Sequence, residues 1–258
     1  MAFDLGSIST EIIYRPPRII LTGSEKCGKS TFASQFPNAV FLPIVQEEGV
    51  DDIEVAKFPT IGLYEELTEA LGTLCEQDHN YEYIVIDSAS TLEPLIWDYV
   101  CRKNSVENIE KVGGGFGKGY VEALSAWGEI QDALDWLRNN KNCGTIIISH
   151  TTIRQAVDPL TESYDTYEIY INKKAAAKLV RWADCVLFAN KKTIIKTEDA
   201  GFGTERKRAI GTDEFKLYTQ KRPAHPGGGR GVYGKLPYEM NLDYHKFAEA
   251  VEKARNAN

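Results

Sequence analysis

The chain of 258 residues has little that would staple it or anchor it. Its five cysteines, Cys27, Cys75, Cys101, Cys143 and Cys185, are odd in number and never spaced as CxxC. That excludes a disulfide framework or a zinc ribbon. The four histidines, His79, His150, His225 and His245, are too dispersed for a metal cluster. Long apolar runs are absent; Ile146-Ile147-Ile148 is typical of the longest, far short of a membrane span. The first residues carry Asp4 and Glu11 and no basic stretch leading into an apolar core, so no signal peptide is visible. These features predict a soluble, cytoplasmic protein with no membrane partner. Positive charge is also in the minority, with 30 Lys and Arg against 37 Asp and Glu, a net charge of −7. That total argues against a general nucleic-acid binder.

The charge is unevenly spread. Residues 1–100 hold 5 basic and 17 acidic side chains, residues 101–150 hold 6 of each, and residues 151–258 hold 19 and 14. An acidic first part and a basic last part suggest two faces with different partners.

The first 190 residues alternate apolar runs with helix-period segments. Arg18 to Thr22, Ala39 to Val45, Tyr83 to Asp87, Thr145 to Ser149 and Cys185 to Ala189 read as buried strands. Leu63, Leu67, Leu71 and Leu74 recur at helical spacing, as do Leu124, Trp127, Ile130, Leu134 and Leu137. This alternation predicts an α/β core with a mostly parallel sheet flanked by helices. After Asn190, short strands over Thr193 to Thr197, Lys207 to Gly211 and Phe215 to Thr219 predict a small β-rich C-terminal subdomain. Pro223 to Gly231 reads as a loop, and Asp243 as the N-cap of a last helix. The expected domains are therefore 1–190 and 191–258.

One motif carries chemistry. Gly23-Ser24-Glu25-Lys26-Cys27-Gly28-Lys29-Ser30 fits GxxxxGK[ST] in full, after a strand and before a helical pattern. In such a loop, glycines let successive backbone N–H groups turn toward phosphate oxygens. Lys29 reaches the β- and γ-phosphates, the Ser30 hydroxyl ligates Mg²⁺, and Thr31 is a candidate for the α-phosphate. Asp87 ends a strand, where ligands of open α/β sheets bind, and is the second magnesium candidate, with Ser88 beside it. ATP and Mg²⁺ are the expected cofactors. The second strand ends at Gln46-Glu47-Glu48-Gly49. Glu48 is the first candidate for orienting the attacking water, with Glu47 as runner-up. His150, closing the fourth strand, is a candidate γ-phosphate sensor.

These residues resemble the RecA-like P-loop ATPases and, within them, phage AAA-type nucleotide-binding proteins of the Sak single-strand-annealing class. The resemblance rests on the phosphate loop, Glu48-Gly49, Ile84-Val85-Ile86-Asp87-Ser88, and Asn172-Lys173-Lys174-Ala175-Ala176-Ala177 followed by Trp182-Ala183-Asp184-Cys185. It extends over nearly the whole chain, with Gly117-Lys118-Gly119-Tyr120 and Arg208-Ala209-Ile210-Gly211 adding to it. It implies ATP hydrolysis, stimulated by DNA, coupled to recombination on single-stranded DNA by annealing or strand exchange. It also implies a homo-oligomeric ring or filament, a single-strand-binding protein as a further partner, and, for a phage-encoded chain, the bacterial host cytoplasm. By position, Gly113 to Tyr120, with Lys111, Phe116 and Lys118, and Thr151 to Tyr170, with Arg154, become DNA candidates. Lys191, Lys192, Arg206, Lys207, Arg208, Lys221, Arg222 and Arg230 would add electrostatic attraction. Lys173, Lys174 and Arg181 are candidates for completing a neighbouring subunit's site. The rival expectations are an ATP-gated, non-catalytic accessory module, a helicase loader or packaging-type motor, and a small-molecule kinase.

Overall fold

The computed structural model describes residues 4–157, 159, 162–199 and 205–257. The strands are β1 (Arg18–Gly23), β2 (Ala39–Pro43), β3 (Ala56–Lys57), β4 (Tyr83–Asp87), β5 (Gly144–Ala156), β6 (Tyr164–Ile169), β7 (Cys185–Asp199), β8 (Glu205–Tyr218), β9 (Gly228–Gly229) and β10 (Glu239–Asn241). The helices are α1 (Lys29–Ser34), α2 (Tyr64–Glu76), α3 (Ala89–Lys103), α4 (Lys118–Asn140), α5 (Lys173–Trp182) and α6 (Tyr244–Asn256).

The sheet runs β10-β8-β7-β1-β5-β4-β2-β3. From β3 to β7 every pairing is parallel, and β8, β9 and β10 add antiparallel strands. One strand, β5, is inserted between β1 and β4. This is the mostly parallel α/β core, flanked by helices, expected from the alternation of runs. The central strands carry continuous apolar runs, Ile19–Leu21, Ile84–Ile86 and Ile146–Ile148, as suits strands covered on both faces. On one face Leu67, Leu71, Leu92, Ile96, Trp127, Ile130 and Leu134 close over Ile20, Val40, Ile84 and Ile147. On the other, Phe32, Phe36, Phe247 and Val251 close over Ile19, Leu21, Phe41 and Ile146.

Residues after 190 are β-rich, and they continue the same sheet. The expected division at 190 falls inside β7, and the three short strands read there are parts of two long ones, β7 and β8, with a register shift between Lys191 and Thr193. The last helix begins where Asp243 caps it by accepting from Lys246 N. Beyond Ser149, β5 leaves the buried layer and forms a hairpin with β6.

Trp182-Ala183-Asp184 has a structural task. Asp184 accepts hydrogen bonds from Arg18 N at 2.9 Å, Arg18 Nη2 at 3.0 Å and Arg138 Nη2 at 2.8 Å, and pairs with Arg230 Nε at 3.4 Å. Trp182 Nε1 donates to Asp135 at 3.0 Å, and Arg18 lies over the Trp182 ring. The motif thereby ties the start of β1 to α4, α5 and the residue that follows β9. Among the described residues no helix is long and apolar enough to cross a membrane.

Candidate nucleotide site

The site begins where β1 ends. Gly23 runs so close to β7 that a Cβ there would collide with the Ala189 carbonyl oxygen. Gly23→Ala is expected to lower stability by about 1–3 kcal/mol and to weaken ATP binding, read as a smaller thermal shift on adding ATP. Gly28 has φ +84°, the left-handed region that favours glycine, and caps α1. Between these two glycines the backbone curls around the Lys29 ammonium. Lys29 is buried and donates to the Gly23 carbonyl at 3.1 Å and the Ser24 carbonyl at 2.7 Å. Ser24 Oγ donates to Asn190 Oδ1 at 2.8 Å, fixing the loop to β7. Cys27 is a packing residue whose thiol, raised by burial, donates to the Ala189 carbonyl.

Asp87 lies at the end of β4, and its Oδ2 accepts from Ser30 Oγ at 2.6 Å. Burial pushes this carboxyl up to about 6; the negative Glu47 adds to the rise, while Ser30 and Lys29 oppose it. A hydroxyl and a carboxylate in contact form a hard oxygen donor set of the kind magnesium takes. The two glycine-loop termini, Ser30 and Asp87 therefore fit a magnesium-bound triphosphate. Glu25, Lys26, Thr31, Gln46, Glu47, Thr91 and His150 complete a cleft of about 650 Å³, within the usual range for small ligands.

The acidic turn after β2 gives a different answer from the first expectation. Glu47, the runner-up, lines the cleft, whereas Glu48 is exposed and does not. Gln46 takes φ +74°, and Glu47 N bonds back to the Ile44 carbonyl. This tight turn swings Glu47 inward and Glu48 out. Glu47 Oε1 accepts from Ser88 Oγ at 2.6 Å, lies 2.8 Å from His150 Nε2 and is 3.5 Å from Thr91 Oγ1. Against a carboxylate, Nε2 is the protonated nitrogen of His150. Burial would raise Glu47, but the hydrogen bonds from His150 and Ser88 and the Lys29 charge outweigh it and hold the group below its ordinary value. Two neighbouring carboxyls are thus driven in opposite directions, a mark of separate roles. Ser88 and Thr91 were not singled out for this task by sequence; the available signal was an N-cap serine directly after the strand-end aspartate.

A second cleft of about 930 Å³ adjoins the first and shares Glu25, Gln46, Thr91 and His150 with it. Arg154, Lys173, Lys174, Trp97, Tyr120 and Tyr170 line it. Glu93 Oε2 accepts from Asn172 N at 2.7 Å, which fixes the first turn of α5 with its two lysines above this cleft. Arg154 lies 3.5 Å from Glu168 across the hairpin. Arg181 sits at the opposite end of α5.

The remaining basic candidates are not gathered here. Lys118 closes the glycine turn by donating to the Gly113 carbonyl at 2.9 Å, beside the fully exposed Phe116. Lys191 lies over the Phe215 ring, Lys192 pairs with Glu239, and Arg222 lies over Tyr238. Arg230 is spent on Asp184 and on the carbonyls of Arg181, Trp182 and Ala183. Arg206, Lys207 and Arg208 fall on β8, opposite Glu198, Thr197 and Lys196; their side chains lie outside the described residues.

No curated protein matches the chain. Among solved structures, one titled "Crystal structure of the RadB recombinase" is 11% identical, covering 75% of this chain and 87% of that chain with a TM-score of 0.39. That likeness is too distant to assign a function. The family comparison is firmer: residues 15–231 match the AAA domain family. With the greater part of its length inside that match, the chain belongs to the AAA domain family.

Proposed function

We propose that this protein is a magnesium-dependent ATPase acting on single-stranded DNA, of the phage recombination type that anneals strands or exchanges them. The observation that carries the ATPase reading is the convergence of Lys29, Ser30, Asp87 and Glu47 on one cleft. Lys29 would exchange its two carbonyl partners for β- and γ-phosphate oxygens. Ser30 and Asp87 would hold magnesium, which neutralises phosphate charge when bound. Glu47 would orient a water molecule in line with the γ-phosphorus. The new phosphorus–oxygen bond forms as the bond to the bridging oxygen breaks. ADP leaves with that electron pair, and the water's protons end on the released phosphate and the solvent.

The DNA reading draws on the second cleft. Arg154, Lys173 and Lys174 supply cations for phosphates, and Trp97, Tyr120 and Tyr170 supply ring faces for bases. The two clefts share residues, so a strand in one lies against the γ-phosphate end of the other. Lys173, Lys174 and Arg181 remain candidates for a neighbouring subunit's site in a ring or filament. A single-strand-binding protein as partner and a host-cytoplasm location belong to the same reading.

The test compares ATP turnover with and without a single-stranded oligonucleotide, alongside its binding at low salt. Turnover stimulated by the strand is expected. Neutralising Arg154, Lys173 and Lys174 together should weaken strand binding and shallow its salt dependence by about 0.7 log units per cation removed. ATP binding with neither turnover nor strand binding would favour a non-catalytic, ATP-gated accessory module.

A further inference from the structure

We infer that Ser88 is a positioning residue that fixes the carboxylate of Glu47, an inference resting on the ATPase reading above. Ser88 is fully buried, immediately follows Asp87, and caps α3. Its hydroxyl donates to Glu47 Oε1 at 2.6 Å, the shortest of the three contacts converging on that oxygen. All three fall on Oε1; among the described residues no hydrogen bond falls on Oε2. The carboxylate is thus gripped by one oxygen and leaves the other for water in the cleft that Glu47 lines.

The three gripping groups are not equivalent. The His150 ring is held through Nε2 alone, since its buried Nδ1 has no partner. Thr91 Oγ1 is the most distant, at 3.5 Å. The Ser88 hydroxyl, in contrast, is itself held: it accepts from Thr91 N and lies 3.2 Å from Thr91 Oγ1. It is therefore the rigid member, and it joins the strand that carries Asp87 to the turn that carries Glu47. One hydroxyl sets the spacing between the magnesium carboxylate and the water-orienting carboxylate. Three donors on Oε1 also make Glu47 a weaker proton acceptor. Its task at this site is to aim the water, and small displacements of an aiming group are costly.

The experiment is a kinetic cycle on the full-length chain with Ser88→Ala, Glu47→Gln and the double variant. Ser88→Ala is expected to lower kcat about 10- to 100-fold with KM for ATP changed by less than about twofold. The double variant is expected to match Glu47→Gln, because Ser88 acts only through that carboxylate. Should Ser88→Ala fold poorly through loss of the cap, Ser88→Gly supplies the same deletion with a residue tolerated at N-caps. Wild-type kcat in Ser88→Ala beside an inactive Glu47→Gln would overturn the positioning role alone. A further loss in the double variant would also overturn it, because a purely structural serine lowers both backgrounds. Full turnover in Glu47→Gln would overturn the Glu47 assignment itself, and the Ser88 role with it.

Discussion

Lys29→Ala should lose ATP binding by about 100-fold or more. Each charge-assisted hydrogen bond from an ammonium to phosphate contributes about 1.5–3 kcal/mol, and Lys29 can make at least two at the head of this loop. The same ammonium is bonded to the Gly23 and Ser24 carbonyls inside the loop's curl. The substitution therefore also leaves two carbonyls without their donor, at a cost of about 1–3 kcal/mol. Binding of a fluorescent ATP analogue, measured well below the melting transition, separates the two effects. A variant that melts slightly earlier yet still binds ATP normally would remove the phosphate-loop reading.

Asp184→Ala should be strongly destabilising although the residue lies away from the nucleotide cleft. It strips the shared partner from Arg18 and Arg138, two largely buried guanidinium groups. Removing one member of a buried charge network costs about 3–5 kcal/mol, which for a chain of this size lowers Tm by roughly 10 °C. Burial works against the Asp184 charge, but hydrogen bonds from Arg18 and the charges of Arg18 and Arg138 outweigh it and depress the carboxyl below its ordinary value. A depressed carboxylate contributes stability that is present above its unfolded value, about 3.9, and is lost as pH falls from there through the folded value. The variant should accordingly show a flatter fall in Tm over that acid window than the parent. An unchanged Tm at neutral pH would contradict the network.

The features that sequence made legible are those written in consecutive residues. Tyr83–Asp87 is a strand over the expected span, and the phosphate-loop motif leads from the end of β1 at Gly23 into α1, which opens at Lys29 as expected. What was not legible depends on single backbone torsions or on distant partners. Whether Glu47 or Glu48 faces the cleft is decided by the left-handed Gln46, and glutamine gives no hint of that conformation. The hairpin of β5 and β6 is half-exposed, so its residues lack the apolar continuity that betrayed the buried half of the same strand. Thr212 to Glu214 separated two runs that read as distinct short strands, yet all of it lies within the single strand β8. The conspicuous Trp182-Ala183-Asp184 proved to hold elements together, since its partners Arg18, Asp135 and Arg138 are remote in sequence.

The strand β5 has neither glycine nor proline after Gly144. Its first half is laddered to β1 residue by residue, ending with His150 opposite Gly23, and its second half stands clear of that ladder as one side of the hairpin. One continuous strand thus joins the half-exposed hairpin to His150, whose ring touches Glu47. The hairpin and the nucleotide cleft share a single unbroken backbone run, which gives a ligand on the hairpin a direct covalent path to the proposed water-aiming carboxylate.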